Sequence, residues 1–338
     1  MKIAVDVMGT DYGLTELVQG AVDAVKKFAC ETILIGDAVK IEEVLAKLGI
    51  KDDRVRVHNA SQVIEMDEHP AMAVKQKKDA SIVVAARMLR QGLCDAVVSA
   101  GSTGAAMTAA TLLTGRIKGV ERPAIGLTIP GMGKGAVLVD AGANVDAKPS
   151  NLVQSAIMGS VYAEKILHIL KPRVGLLNIG AEETKGNEQA QATFPLLKAC
   201  KEINFQGNIE GRDITTGGTD VVVCDGFVGN ALLKFGEGLA KTIFMLMKEA
   251  ILTSGLLTKL GGGLIRPAME KLRSKMDPNK YGGALLLGIK APFVICHGNS
   301  KAYAITNAIG ITIEFVKNNV TDVIAERIQQ NKNMVGSV

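Results

Sequence analysis

Four glycine-rich segments carry side chains able to handle an anion: SAGSTG at 99–104, DAGAN at 140–144, NIGAEETKGN at 178–187 and DGFVGN at 225–230. Glycine lets a backbone N–H approach an oxyanion, and a helix starting just after such a turn adds roughly half a positive charge. With Ser, Thr, Asn and Lys attached, these are phosphate-sized sites without nucleotide trimmings. A plain strand-to-helix turn explains any one of them; four together point to ligand binding.

Other chemistries fit less well. GMGKGA at 131–136 has the spacing of a dinucleotide loop, but the strand-like AVLVDAG follows it, so no helix N-terminus waits for a pyrophosphate. No GxxxxGK[ST] or GxSxG sequence is present. Cys296 and His297 are neighbours in PFVICHG; if both lie in a strand they face opposite ways and form no thiolate pair. Cys224 ends the apolar run DVVVC and reads as a core cysteine. His58, His69 and His168 carry no signal, whereas His297 precedes a Gly-Asn-Ser turn and is either a site residue or a structural donor. Asp6 and Asp11 flank a Met-Gly-Thr turn, which two carboxylates at that spacing cap more readily than they bind a cation; no metal is expected.

The elements that must position these loops alternate. Short β-branched runs (KIAVDV, TILIG, RVRV, DAVVSAG, AIGLTIP, AVLVDAG, RVGLLNIG, DVVVCDG) are separated by helical stretches at 14–28, 39–48, 81–90, 152–170 and 188–201. This is a three-layer αβα layout on a mostly parallel sheet, whose strand carboxyl ends should line the ligand crevice. No linker or repeat divides residues 1–330, so a single two-lobed catalytic unit is expected, closing with a helix over about 302–330 and a flexible tail at 331–338.

The chain has 338 residues, 47% hydrophobic and 22% charged, which excludes disorder. A net charge of +5 suits an anionic substrate, an acidic partner or an anionic membrane surface. Basic residues are dispersed and aromatics are 4%, so nucleic acid is not an expected partner. Five cysteines, Cys30, Cys94, Cys200, Cys224 and Cys296, are odd in number and widely spaced, which fits a reducing cytoplasm. The N-terminal apolar run is too short for a signal-peptide core. The longest uncharged run, Ala96 to Gly115, is interrupted by Ser99, Ser102, Thr103, Thr108, Thr111 and Thr114 and changes period, so it is not a membrane span.

The phrases VDVMGTDYG, SAGSTGA, ERPAI, DAGANVDAKP, GLLNIGAEETKGNE, GNIEGRDI, DVVVCDGFVGN and APFVICHGNS resemble, in order and spacing, the PlsX family of acyl-carrier-protein:phosphate acyltransferases, over residues 1 to 330. The resemblance implies an isocitrate/isopropylmalate dehydrogenase-like fold, usually homodimeric, with no cofactor. It also implies attack of inorganic phosphate on a long-chain acyl-carrier-protein thioester. The products are free carrier protein and an acyl phosphate, used by a membrane glycerol-3-phosphate acyltransferase in phospholipid synthesis. Two positions depart from the family pattern: Thr10 stands where relatives have glycine and Ser102 where they have asparagine. Both put the geometry of their loops in question.

Lys185 and Asn230 match the family's catalytic positions. The chemistry makes sense of them, because phosphate is already an oxyanion and a thiolate of pKa about 8.5 leaves without strong acid help. The protein must hold two anionic partners and stabilise a tetrahedral oxyanion. Lys185 would neutralise phosphate and developing charge; Asn230 would donate to the thioester oxygen or to phosphate. Supporting roles around phosphate and thioester go to Gly101, Ser102, Thr103, Gly104, Asn144, Lys148, Asn178 and His297, although Lys148 precedes proline and can equally cap a helix.

Residues 251–280 stand apart. Ile265, Met269, Leu272 and Met276 share one helical face, and six basic residues between Lys259 and Lys280 oppose two acidic ones. Pro267 suits a first helical turn. With Leu256, Leu257, Leu260 and Leu264 this reads either as a packed or dimer-forming hairpin or as an interfacial membrane contact; the implied function favours a cytoplasmic protein peripherally bound at the membrane. Lys75, Lys77, Lys78, Arg87 and Arg90 form either a landing surface for acidic carrier protein or a solvated helix face. The rivals are a phosphate acetyltransferase-like enzyme using acyl-CoA, a metal-dependent decarboxylating dehydrogenase and a non-catalytic membrane scaffold.

Overall fold

The computed structural model describes residues 1–10 and 13–335; Asp11, and the last residues of the tail, lie outside the described residues. The first half of the chain runs β1 (Lys2–Asp6), α1 (Leu14–Phe28), β2 (Glu31–Gly36), α2 (Ala38–Lys47), β3 (Val55–Asn59), α3 (Pro70–Gln76), α4 (Ser81–Arg90), β4 (Ala96–Ser99), α5 (Thr103–Ala109) and β5 (Ala124–Ile129). The second half runs β6 (Ala136–Val139), α6 (Pro149–Lys165), β7 (Arg173–Leu177), α7 (Glu188–Ala199), β8 (Asn204–Ile209), β9 (Val221–Val223), α8 (Gly226–Thr253), α9 (Leu256–Met276), β10 (Ala284–Leu287), β11 (Phe293–Ile295), α10 (Ala302–Lys317) and α11 (Val320–Val335).

All eleven strands join one sheet in the order β3-β2-β1-β4-β11-β10-β5-β6-β9-β7-β8. Residues alternate between two cores, as a period of two requires: Ile3 and Val5 of β1 pack with α1, α6 and α10 on one face, and Ala4 packs with α4 and α5 on the other. The three-layer αβα arrangement on a mostly parallel sheet is thus observed, with seven of the ten strand pairings parallel. β5 pairs antiparallel with both β6 and β10, and β10 pairs antiparallel with β11.

The parallel sets on the two sides therefore run in opposite directions, and a single carboxyl edge does not exist. Instead Val98, Val294, Leu285, Gly126, Val139, Val223 and Leu176 stand side by side in one row. β4 and β11 end one residue beyond that row from one direction, and β6 and β9 end on it from the other. The loops after these strands consequently meet over β5 and β10.

The chain's closing segment differs from the expected single helix. Asn319 takes a left-handed φ of 50°, breaking the run into α10 and α11, and α11 extends to Val335. GMGKGA forms the β5–β6 hairpin loop, with Gly133 and Gly135 at positive φ. No helix among the described residues is long and apolar enough to cross a membrane.

Candidate functional site

The DAGAN loop is built around one carboxylate. Asp140 is buried and accepts hydrogen bonds from the backbone N–H groups of Ile125 (3.1 Å), Gly142 (3.1 Å), Ala143 (2.8 Å) and Asn144 (2.8 Å), and from Asn144 Nδ2 (2.8 Å). Asn144 Nδ2 also donates to the Pro123 carbonyl at 2.7 Å. Asn144 therefore spends its amide inside the loop and acts as structure, not as the ligand contact its sequence suggests.

The first turn of α8 lies directly on this loop. Gly226 N–H donates to Asn144 O at 2.7 Å, and a Cβ on Gly229 would stand 1.9 Å from the Asp140 carbonyl oxygen. Asp225 caps the helix by accepting from Val228 N–H at 2.9 Å. The N–H groups of Gly226, Val228 and Gly229 are thus satisfied by protein, so the helix end contributes its field while the side chain of Asn230 supplies the free donor. Among the described residues nothing hydrogen-bonds the Asn230 amide. It sits over Gly142, whose φ of 133° and missing Cβ leave it room.

Asn230 lines a cavity of about 310 Å³ together with Thr103, Thr128, Gly142, Lys234, Glu237, His297 and Ser300. Asn230, Lys234 and Glu237 come from α8, His297 and Ser300 from the β11–α10 turn, Thr128 from β5, Gly142 from the loop after β6 and Thr103 from the start of α5. α10 is anchored on α1, where Glu16 accepts from Ala302 N–H at 2.8 Å and Thr306 Oγ1 donates to Gly20 O at 3.0 Å; this sets the preceding turn that carries His297 and Ser300. His297 Nε2 lies 3.4 Å from Glu237 Oε1, and that contact holds the Glu237 carboxyl below its usual range. The Ser300 hydroxyl is buried at the cavity wall without a hydrogen-bond partner among the described residues. Cys296 also reaches this wall, but burial pushes its thiol up to about 12, so it is no thiolate at neutral pH.

The cavity opens into a groove of about 1120 Å³; the two share Thr128, Leu233, Lys234, Glu237, Asn279 and His297. The groove follows α8 past Ile243 and Phe244, with Ile129 and Ile214 on one wall and Met276 of α9 on the other.

Lys185 does not line the cavity. It lies on the loop after β7, beside β9, and its exposed ammonium pairs with nothing among the described residues. The loop itself is held firmly. Asn178 Nδ2 donates to Lys185 O at 3.0 Å, Gln191 Nε2 donates to Thr184 O at 3.0 Å, and Asn187 caps α7 by accepting from Ala190 N–H at 2.8 Å. Asn178 thus positions Lys185 and has no place in the cavity.

Of the SAGSTG residues, Thr103 alone reaches the cavity. Ser102 caps α5 by accepting from Ala105 N–H at 3.4 Å, so the replaced amide leaves a helix cap in its position. Gly104 lets Pro70 of α3 pack close, and Gly101 lies against the Met8 carbonyl, beside Asp6 and Ser99. Asp6 accepts from Met8 N–H at 3.2 Å and from Ser99 Oγ at 2.7 Å, tying the two loops together. Lys148 sits at the N-cap of α6, its N–H donating to Asn151 Oδ1 at 3.0 Å. No group of three potential metal ligands occurs among the described residues.

Lys234, Glu237 and Ser300 were not singled out by sequence. The signal for the first two was available, since positions 230, 234 and 237 share a helical face, but it is read only once α8 is placed. Among the carrier-protein candidates, Lys77 is half-buried: its ammonium pairs with Glu68 at 2.5 Å and donates to Val63 O at 2.8 Å. Pro267 falls well inside α9 instead of opening it. Leu256, Leu257, Leu260 and Leu264 are 75, 85, 61 and 84% exposed; Ile265 and Leu272 are exposed and Met269 half-buried.

Residues 1–323 match a family described as "Fatty acid synthesis protein". The "Phosphate acyltransferase" of Desulfitobacterium hafniense (strain Y51) is 52% identical over 329 residues, 97% of each chain. Its counterpart in Clostridium perfringens (strain SM101 / Type A) is 47% identical, again over 97% of each. A phosphotransacetylase from Streptococcus pyogenes superposes with a TM-score of 0.64 at 17% identity, over 97% of this chain and 94% of that one. A 4-hydroxythreonine-4-phosphate dehydrogenase from Klebsiella pneumoniae gives 0.52 at 11% identity, over 92% and 98%. At such identities these two structures share the fold.

Proposed function

This chain belongs to the fatty acid synthesis protein family and is an acyltransferase, and from that premise we propose that it converts long-chain acyl-carrier protein and inorganic phosphate to acyl phosphate and free carrier protein, opening phospholipid synthesis. The observation that carries this reading is the join of a small polar cavity at Asn230 to a long apolar groove along α8. A two-carbon acyl group has no use for such a groove; a fatty acyl chain does.

In the reaction a phosphate oxygen attacks the thioester carbonyl carbon, the carbonyl π pair moves onto oxygen, and the C–S bond breaks as that pair returns. The pantetheine thiolate leaves with the bonding electrons and takes a proton from water. Asn230, with an unspent amide, donates to the carbonyl oxygen as it becomes an oxyanion, helped by the positive end of α8. Lys185, unpaired on the neighbouring loop, draws phosphate to the mouth. Lys234, one helical turn beyond Asn230, adds a second positive charge at the cavity wall. No protein nucleophile is needed, and the buried thiols of Cys224 and Cys296 suit that.

The product is water-shy, and the exposed leucines at the α8–α9 turn supply a bilayer contact from which a membrane glycerol-3-phosphate acyltransferase could receive it. Lys75, Lys78 and Arg90 remain the exposed candidates for an acidic carrier protein, and a homodimer accords with the bare outer faces of α8 and α9.

The test is incubation with inorganic phosphate and palmitoyl-carrier protein, palmitoyl-CoA or acetyl-CoA, following acyl phosphate. Turnover is expected to be fastest with palmitoyl-carrier protein and absent with acetyl-CoA. Acetyl phosphate formed at an equal or greater rate would overturn the assignment.

A further inference from the structure

We infer that one face of α8 is an acyl ruler, in which the chain lies along the helix with its thioester at Asn230 and its methyl end at Phe244 and Met245. The inference rests on the acyl-transfer reading and adds the orientation of the chain and the residues that measure it.

Groove-lining residues run along α8 from Leu232 to Lys248; Leu232, Leu233, Leu239, Ala240, Ile243 and Phe244 share one side of the helix, and Lys234, Glu237, Lys241 and Lys248 lie on the adjoining side. Lys234, Glu237 and His297 meet at the end shared with the cavity, and Lys241, Lys248, Glu270 and Arg273 edge the rest of the groove. Farther along, Ile129, Ile214, Ile243 and Phe244 provide an apolar wall. Phe235, 67% exposed on the same helix, lies outside the groove.

Length fixes the register. At 1.5 Å per residue, Asn230 to Phe244 spans about 21 Å. An extended chain of roughly 1.5 Å carbon–carbon bonds advances about 1.3 Å per carbon, so about sixteen carbons reach Phe244. Ala240, the smallest apolar groove residue near the midpoint, stands about 15 Å from Asn230 and corresponds to about twelve carbons. Beyond Met245 the helix leads to Ile251 and Leu252 and across its turn to Leu256 and Leu257, all solvent-facing or nearly so. The methyl end thus points toward the exposed leucine tip, and the chain can leave tail first along one apolar path.

Two measurements test the orientation. In the first, acyl-phosphate formation from carrier protein loaded with chains of ten to eighteen carbons is compared for wild type, Ala240→Phe, Phe244→Ala and Phe235→Ala. Ala240→Phe should lose at least about tenfold on sixteen carbons while keeping ten and twelve, since a pocket discriminates about tenfold or more per unaccommodated methylene. Phe244→Ala should extend acceptance to eighteen, and Phe235→Ala should keep the wild-type profile. Wild-type activity with an unmoved Ala240→Phe profile overturns the ruler; a wild type that forms no acyl phosphate overturns the functional reading instead.

The second measurement is independent of turnover. The chain has no tryptophan, so Met245→Trp is a unique reporter. 16-Bromopalmitate should quench it strongly and 2-bromopalmitate weakly; equal quenching by both, or none by either, overturns the orientation.

Discussion

At the scale of single residues, the site divides its labour between a donor fixed in a cavity and a cation held outside it. Asn230 stands over Gly142 with its amide free, and Lys185 stands on a loop pinned by Asn178 and Gln191. Removing one oxyanion donor costs about a hundred- to a thousand-fold in rate. Asn230→Ala should therefore lower kcat by that amount with the phosphate KM little changed, whereas Lys185→Ala should act mainly through a raised phosphate KM. Steady-state kinetics at varied phosphate separates the two; wild-type turnover in either variant removes that residue from the mechanism. The cysteines give a prediction of the opposite kind. All five are buried, and burial pushes the Cys94 and Cys296 thiols up to about 12. At pH 9 only about one thiol in a thousand would be ionised at those two positions. Iodoacetamide should leave the folded protein active and unlabelled, with labelling appearing on denaturation. Mass spectrometry after turnover should find no acylated side chain.

At the scale of elements, α8 does two jobs, and its glycines report where one gives way to the other. Its first turn is bound to the DAGAN loop by backbone contact. Gly229→Ala forces a Cβ against the Asp140 carbonyl, which should cost about 1–3 kcal/mol or more and displace Asn230. Gly238 on the same helix has open space around it, so Gly238→Ala should stabilise by up to about 1 kcal/mol through helix propensity. Thermal unfolding with parallel activity assays distinguishes a contact requirement from a general intolerance of the helix. Toward its far end α8 leaves the body, and it turns into α9 through a tip whose leucines face solvent. Burying one such side chain in an apolar phase is worth roughly 1.5–3 kcal/mol. Replacing Leu256, Leu257 and Leu260 by glutamate should abolish co-sedimentation with anionic vesicles, while circular dichroism and phosphate transfer from soluble carrier protein stay as in wild type. Retained co-sedimentation would return the tip to the role of a packing surface.

At the scale of the whole molecule, the decisive feature is a sheet whose two parallel sets run against each other and end at one shared row. That geometry brings Thr103, Asn230 and the turn carrying His297 and Ser300 around one cavity although these three segments are far apart in the chain. The sequence by itself determined much of this protein: the three-layer αβα class, the strand-to-helix turns rich in glycine, the helix at 81–90 and the family. These are local properties, written in period-two and period-3.6 hydrophobicity and in turn chemistry, or carried by long motifs. Tertiary structure alone decided which polar residues face the cavity. Asn144, Asn178 and Ser102 look like ligand donors from type and spacing, yet each spends its hydrogen bonds on the loop that holds it, whereas Lys234 and Glu237, which belong to no motif, and Ser300, at the end of APFVICHGNS, line the cavity. The physical reason is that a hydrogen-bonding side chain serves frame or ligand according to which partners its neighbours in space leave unsatisfied, and strand direction and register, long-range properties of the sheet, set those neighbours.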